Sequence, residues 1–117
     1  MPKISLVVCV HRERDLLKRL LEATSDCIDD LVVTHDGPDE TNVHELVEQF
    51  GGRFFERQRA FQQEPHWPFA WGQAKCEWIL RLDADEIPSA DLKRWIQSFR
   101  NQEEPSPDVS GYTCIWP

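Results

Sequence analysis

The chain has 117 residues, with 13 Lys or Arg against 21 Asp or Glu, a formal net charge of −8. That balance, without a basic stripe, argues against a nucleic-acid or anionic-membrane surface, because polyphosphate repels it. At 40% hydrophobic residues, with five Trp and six Phe, the composition excludes a disordered chain, and the length predicts a single domain over residues 1–117.

The first apolar run, Ile4 to Val10, is far shorter than the roughly 20 residues that cross a bilayer and lacks the layout of a signal peptide. No transmembrane segment is expected, and the chain reads as soluble and intracellular. Cys9, Cys27, Cys76 and Cys114 are irregularly spaced with no Cys-x-x-Cys pair, so they read as reduced and mostly buried thiols.

Ile4, Leu6, Val7, Val8 and Val10 form a β-branched run of the kind buried on both faces of a parallel sheet. From about Glu13 to Thr24, Leu16, Leu17, Leu20 and Leu21 recur at helical spacing. A second strand, Ile28 to Val33, leads into the turn signal His35-Asp36-Gly37-Pro38. Val43, Leu46, Val47 and Phe50 mark a second helix, stopped by Gly51 and Gly52 where a left-handed cap is wanted. Arg53 to Glu56 reads as a third strand and Arg57 to Pro68 as a loop. Phe69 to Cys76 reads as one or two helical turns, and Glu77 to Leu82 as a strand that delivers Asp83-Ala84-Asp85-Glu86. Ser89 is placed to cap a helix whose apolar side is Leu92, Trp95, Ile96 and Phe99. Residues 101–110 read as a linker or loop, and Gly111 to Trp116 as one more strand.

This alternation predicts an α/β fold, a three-layer α/β/α sandwich with a mainly parallel sheet. Ligands bind such sheets outside the carboxyl ends of the strands. Those ends carry His11 to Glu13, His35 to Asp39, and Asp83 to Glu86. Residues two apart in an extended segment share a side, so Asp83 and Asp85 present two carboxylates together. Like charges so placed raise each other's pKa unless a cation intervenes, and a hard divalent ion, Mg2+ or Mn2+, takes oxygen ligands of this kind. Taken alone, Asp-x-Asp also fits a solvated acidic turn at the start of the next helix.

The stretches Cys9-Val10-His11-Arg12-Glu13, His35-Asp36-Gly37-Pro38 and Leu82-Asp83-Ala84-Asp85-Glu86 resemble, in order and separation, three motifs of the family 2 glycosyltransferases with the GT-A, Rossmann-like fold. The resemblance covers about Lys3 to Phe99. It implies that His11 stands where an aromatic residue stacks near the nucleotide base and that Asp36 contacts the base, usually uracil. It also implies that Glu13 lies near the nucleotide and that Asp83 approaches the ribose or the metal. Asp85 would ligate the divalent ion that bridges the donor's two phosphates. The implied activity is transfer of a hexose, with inversion, from a nucleoside-diphosphate sugar, UDP-linked by family habit, to an envelope glycan or other saccharide acceptor. The implied location is cytoplasmic, at the inner membrane face.

Cys9, Arg12 and His35 depart from the family's usual Pro, Asn and Asp, which leaves the base open. The family's acceptor site and general base follow the Asp-x-Asp strand, and its members typically run to more than twice this length. The chain therefore reads as a truncated, donor-binding half, which pairs with a missing C-terminal half or self-associates through apolar surface at Ile115 and Trp116. The alternative is a non-catalytic nucleotide- or metal-binding module of the same fold. Phosphatases of the haloacid dehalogenase type also use Asp-x-Asp, but on the first strand and followed by Thr or Val, where this chain has it on the fourth, followed by Ile87. His44 and His66 read as surface or internally satisfied side chains, and Arg57 and Arg59 as solvated charges.

Overall fold

A computed structural model describes residues 1–103 and 107–114. Four strands form one sheet: β1 (Ile4–Val10), β2 (Asp30–Asp36), β3 (Arg53–Arg57) and β4 (Trp78–Arg81). Their order is β3-β2-β1-β4, and every pairing is parallel, with Val7 beside both Val32 and Arg81. The helices are α1 (Arg14–Thr24), α2 (Val43–Gln49), α3 (Trp67–Gly72) and α4 (Ala90–Arg100), and a single 3-10 turn, Glu64–His66, precedes α3. The α/β expectation holds, as a Rossmann-like arrangement.

The alternation of side chains along β1 and β2 divides the core. Leu6, Val8, Val10, Leu31 and Val33 pack against Leu17, Leu20 and Leu21 of α1 and Val43, Leu46 and Val47 of α2. Ile4, Trp78 and Leu80 continue that face and receive Ile96 and Phe99 of α4. Val7, Cys9 and Val32 point the other way, against Ala70 of α3 and its neighbour Trp67. Burying each such Val or Leu contributes about 1.5–3 kcal/mol, which is why the strands read as unbroken apolar runs. The second helical layer is thin, since α3 is its one helix among the described residues.

That layer is secured by polar contacts. Asp30, the first residue of β2, accepts from Ser5 Oγ at 2.7 Å, from Arg53 Nη2 at 3.1 Å and from the Lys75 N–H at 2.9 Å. Arg53 Nη2 also donates to the Gln73 carbonyl, and the Cys76 N–H to Ser5 Oγ. Burial by itself raises the Asp30 carboxyl, but these donors outweigh it and hold the group below its ordinary value. The chain entering β4 is thus tied to β1, β2 and β3.

Several expectations need correcting. Pro68 lies inside the first turn of α3, where its missing N–H costs nothing, so the helix begins at Trp67, within the expected loop. Leu16 of α1 and Trp95 of α4 are exposed and do not belong to the core-facing stripes. Gly111 to Cys114 form no strand, and the rest of that expected strand, including Ile115 and Trp116, lies outside the described residues. All four thiols are free, but only Cys9 and Cys27 are buried; Cys76 is half-buried and Cys114 exposed. Ser89 does cap α4, its Oγ accepting from the Leu92 N–H at 3.1 Å. No helix among the described residues is long and apolar enough to cross a membrane.

The Gly51-Gly52 stop works by two mechanisms. Gly51 has φ +72° with open space around it, whereas a Cβ on Gly52 would lie 2.6 Å from Leu31 Cδ2 and 2.9 Å from Val47 Cγ1. Gly51→Ala is expected to cost about 1 kcal/mol through backbone strain and Gly52→Ala about 2 kcal/mol through overpacking. Urea unfolding of both variants checks that order.

Candidate functional site

The chain passes outward from β1 to β2 and β3 with α1 and α2 on one face, then returns by way of α3 on the other face to set β4 beside β1. A crevice opens at such a reversal, outside the carboxyl ends of the two strands that flank it. Those strands are β1 and β4, which deliver His11, Arg12 and Glu13 on one side and Asp83, Asp85 and Glu86 on the other. The end of β2, with Asp36, lies next to β1.

After β1, Arg12 takes a left-handed conformation, φ +67°, which is uncommon for a residue with a side chain and turns the loop sharply into α1. The Glu13 carboxylate accepts from the His11 N–H, and the His11 ring Nδ1 lies 2.8 Å from the Asp36 carbonyl. The loops after β1 and β2 are therefore joined through His11. His35 stands 5.8 Å from His11, ring to ring, but it is fully buried, with Nδ1 2.7 Å from the Gly37 carbonyl. Asp39 accepts from the Val43 and His44 N–H groups and so completes the start of α2.

Asp36 is the most heavily bonded side chain of this edge. It is 6% exposed. One carboxylate oxygen accepts from the Ala60 N–H at 2.5 Å and faces His66 Nε2 at 2.8 Å; the other accepts from Arg59 Nη1 at 2.7 Å and the Phe61 N–H at 3.0 Å. Burial pushes the carboxyl up, but the His66 ring, the Ala60 N–H, the Arg59 guanidinium and the Phe61 N–H together hold it below its usual range. A base that meets Asp36 must displace one of these donors. Gly37 allows the approach, since a Cβ there would lie 3.1 Å from Arg59 Cδ. Phe61 adopts φ +64° as its N–H reaches the carboxylate, and its ring stands in solvent with the Arg59 guanidinium 4.4 Å from its centre.

Arg59 is therefore an ion-paired residue at this edge, where the sequence reads as a solvated charge. The reading of His66 as internally satisfied holds for Nε2, while its buried Nδ1 has no partner among the described residues. The signal for both was weak: a histidine between two prolines and an arginine in an aperiodic stretch.

The acids after β4 are in the opposite condition. Leu82 and Ala84 turn into the core, Asp83 is half-buried and Asp85 is exposed. The strand ends at Arg81 and the Glu86 N–H donates to the Asp83 carbonyl at 2.9 Å, so the two aspartates sit in a turn and not on the extended segment that their spacing supposes. The Asp83 N–H donates to Glu86 Oε1 at 2.7 Å, which holds the Glu86 carboxylate beside that of Asp83. The Asp83 carboxyl is pushed up, first by burial and then by the Glu86 charge, with Asp85 adding and Arg81 opposing. Among the described residues no three His, Cys, Asp or Glu side chains converge into a metal-binding group. Mg2+ commonly takes one or two carboxylates and completes its shell with water and substrate phosphate, a donor set that Asp83 and Asp85 match. The sequence matches no protein-family model and no curated protein.

The two aspartates respond oppositely to substitution. Asp36→Asn places an amide donor among four donors and is expected to destabilise by about 3 kcal/mol at pH 7. Because the folded pKa of Asp36 is depressed, its contribution is present above the ordinary carboxylate range and is lost as pH falls through the folded value. The difference from wild type therefore shrinks in acid. The folded pKa of Asp83 is raised, so stability falls as pH rises from the ordinary value through the folded one. Asp83→Asn is expected to melt above wild type at pH 7 and to converge with it in acid, as thermal scans across pH will show.

Proposed function

We propose that the chain is the donor-binding part of a glycosyltransferase, holding a nucleoside-diphosphate sugar at the crevice between the ends of β1 and β4 with Mg2+ or Mn2+. The observation that carries this reading is the group Asp83, Asp85 and Glu86, three acids in four residues at the carboxyl end of β4, with the Asp83 carboxyl pushed up by burial and by its neighbours. Carboxylates crowded against their own repulsion at the edge where parallel sheets bind ligands call for a cation. The sequence resemblance to family 2 glycosyltransferases, on which these acids fall, supplies the substrate class.

In this reading Asp83 and Asp85 hold the divalent ion, and His11 and Glu13 shape the nucleotide side of the crevice. A divalent ion so held would stabilise the negative charge that grows on the departing nucleoside diphosphate. Asp36 serves through its carbonyl, which fixes the His11 ring, and any base contact by its carboxylate follows an exchange of donors. The transfer would place a hexose, UDP-linked in the donor, on a saccharide acceptor. A non-catalytic nucleotide- or metal-binding module of the same fold is the competing reading, and the closed hydrogen bonding of Asp36, which opposes a base contact, favours its metal-binding form.

Calorimetric titration with UDP, with and without Mn2+, tests the proposal. Metal-dependent binding that falls at least about tenfold in Asp85→Ala is expected. Absence of binding to UDP and to other nucleoside diphosphates would sink it. Binding without hydrolysis or transfer of a UDP-sugar would select the module.

A further inference from the structure

β4 is the last strand of the sheet. It is bonded to β1 alone, so one row of its N–H and C=O groups lacks a sheet partner among the described residues. An edge of this kind is a template for another strand. On the side covered by α3, that helix packs over Val7, Cys9 and Val32 and leaves Ile79 of β4 40% exposed. On the other side, α4 turns Lys93, Gln97 and Arg100 toward Asp26 and Asp29. Trp95, about half a turn away from Gln97 around the helix, therefore lies on the free side, 43% exposed and in edge contact with the exposed Tyr112. Ile87, just beyond the acidic turn, is exposed as well. Ile79 is thus bare on one face of the edge strand, and Tyr112, in contact with Trp95, lies 6.1 Å ring to ring from Trp78 of the same strand.

The sequence of the edge is complementary to itself. Set antiparallel to a second copy about a two-fold axis through Ile79, the segment Glu77-Trp78-Ile79-Leu80-Arg81 places Ile79 against Ile79, Trp78 against Leu80, and Glu77 against Arg81 twice. Ile79 and Arg81 share one face of the strand, the face on which Ile79 is bare, and Glu77 stands in the bend that leads into it. Both charged residues are exposed. Glu77 makes no ion pair among the described residues, and the Arg81 guanidinium lies 3.6 Å from the centre of the Trp67 ring, over the face of the sheet that α3 covers. A parallel pairing in register would instead set Glu77 against Glu77 and Arg81 against Arg81, which like charges disfavour.

We propose that β4 pairs antiparallel with β4 of a second copy of this chain, joining the two sheets into one across a two-fold axis. The pairing satisfies the free backbone row and buries Ile79, and it brings Trp95 and Tyr112 of each copy toward the interface. It is independent of the donor-binding reading, because its contacts lie along the strand edge and not in the crevice.

Sedimentation velocity of the whole chain across a range of concentrations tests it, with circular dichroism to establish that each variant is folded. Wild type is expected to show a monomer–dimer equilibrium. Arg81→Glu and Glu77→Arg are each expected to weaken it by at least about tenfold, and the double exchange Glu77→Arg/Arg81→Glu is expected to restore it. Hydrogen exchange of wild type supplies a readout that needs no variant, since the amides of residues 77–81 should gain protection as concentration rises. A wild-type chain that stays monomeric, because another segment or partner covers the edge or nothing does, overturns the proposal. A dimer indifferent to both single changes, a double exchange that fails to restore it, or protection confined to other segments overturns it equally.

Discussion

Two aspartates at opposite ends of one buried strand hold this fold in its shape. β2 begins with Asp30 and ends with Asp36. Asp36 binds the start of the crossover that follows β3, at Arg59, Ala60, Phe61 and His66. Asp30 binds its end at Lys75 directly, and at Gln73 and Cys76 through Arg53 and Ser5. Between these anchors α3 has only six residues, too short to be stable on its own. It lies across the sheet because both ends of its segment are tied to the strand beneath it.

That arrangement explains why acids are tolerated at the margins of a strand whose interior, Leu31 to Thr34, is wholly buried. A buried carboxylate without donors would cost several kcal/mol, but each of these finds donors from both backbone and side chains. The sheet order depends on them as well. With the crossover fixed on the second face, the chain can return past β2 and set β4 beside β1. That return makes the switch point between β1 and β4 and leaves β4 with one edge unpaired among the described residues.

Periodic structure is legible in the sequence as elements, though not at every position, since Leu16 and Trp95 fit the apolar spacing and are exposed. The apolar runs of β1 and β2, the 3.6-residue spacing of α1, α2 and α4, the left-handed Gly51 and the Ser89 cap all depend on neighbours a few positions apart, so a local pattern records them. The sequence is least legible from Arg57 to Cys76. There the determining contacts join residues 20 to 45 positions apart in the chain, such as Asp36 with His66 and Asp30 with Lys75, and no spacing rule encodes them. The acids stand at or just beyond the strand ends, Asp36 closing β2 and Asp83 two residues past β4, because hydrophobicity stops abruptly there. Whether each acid already had partners depended on the loop packed against it and was not legible.

The difference between Asp36 and Asp83 separates an acid used for construction from one available for chemistry. Both follow an apolar strand and both end on the same edge of the sheet. Asp36 has its oxygens occupied by four donors, and its pKa is held down; an incoming ligand can gain from it only by breaking bonds that the crossover depends on. Asp83 is half-buried beside Glu86 and Asp85, and burial first and then those charges push its pKa up; a cation arriving there would offset both. In the proposed donor-binding reading, the acids after β4 are therefore the part open to a ligand as the chain stands, and Asp36 is the part that must first give up a donor.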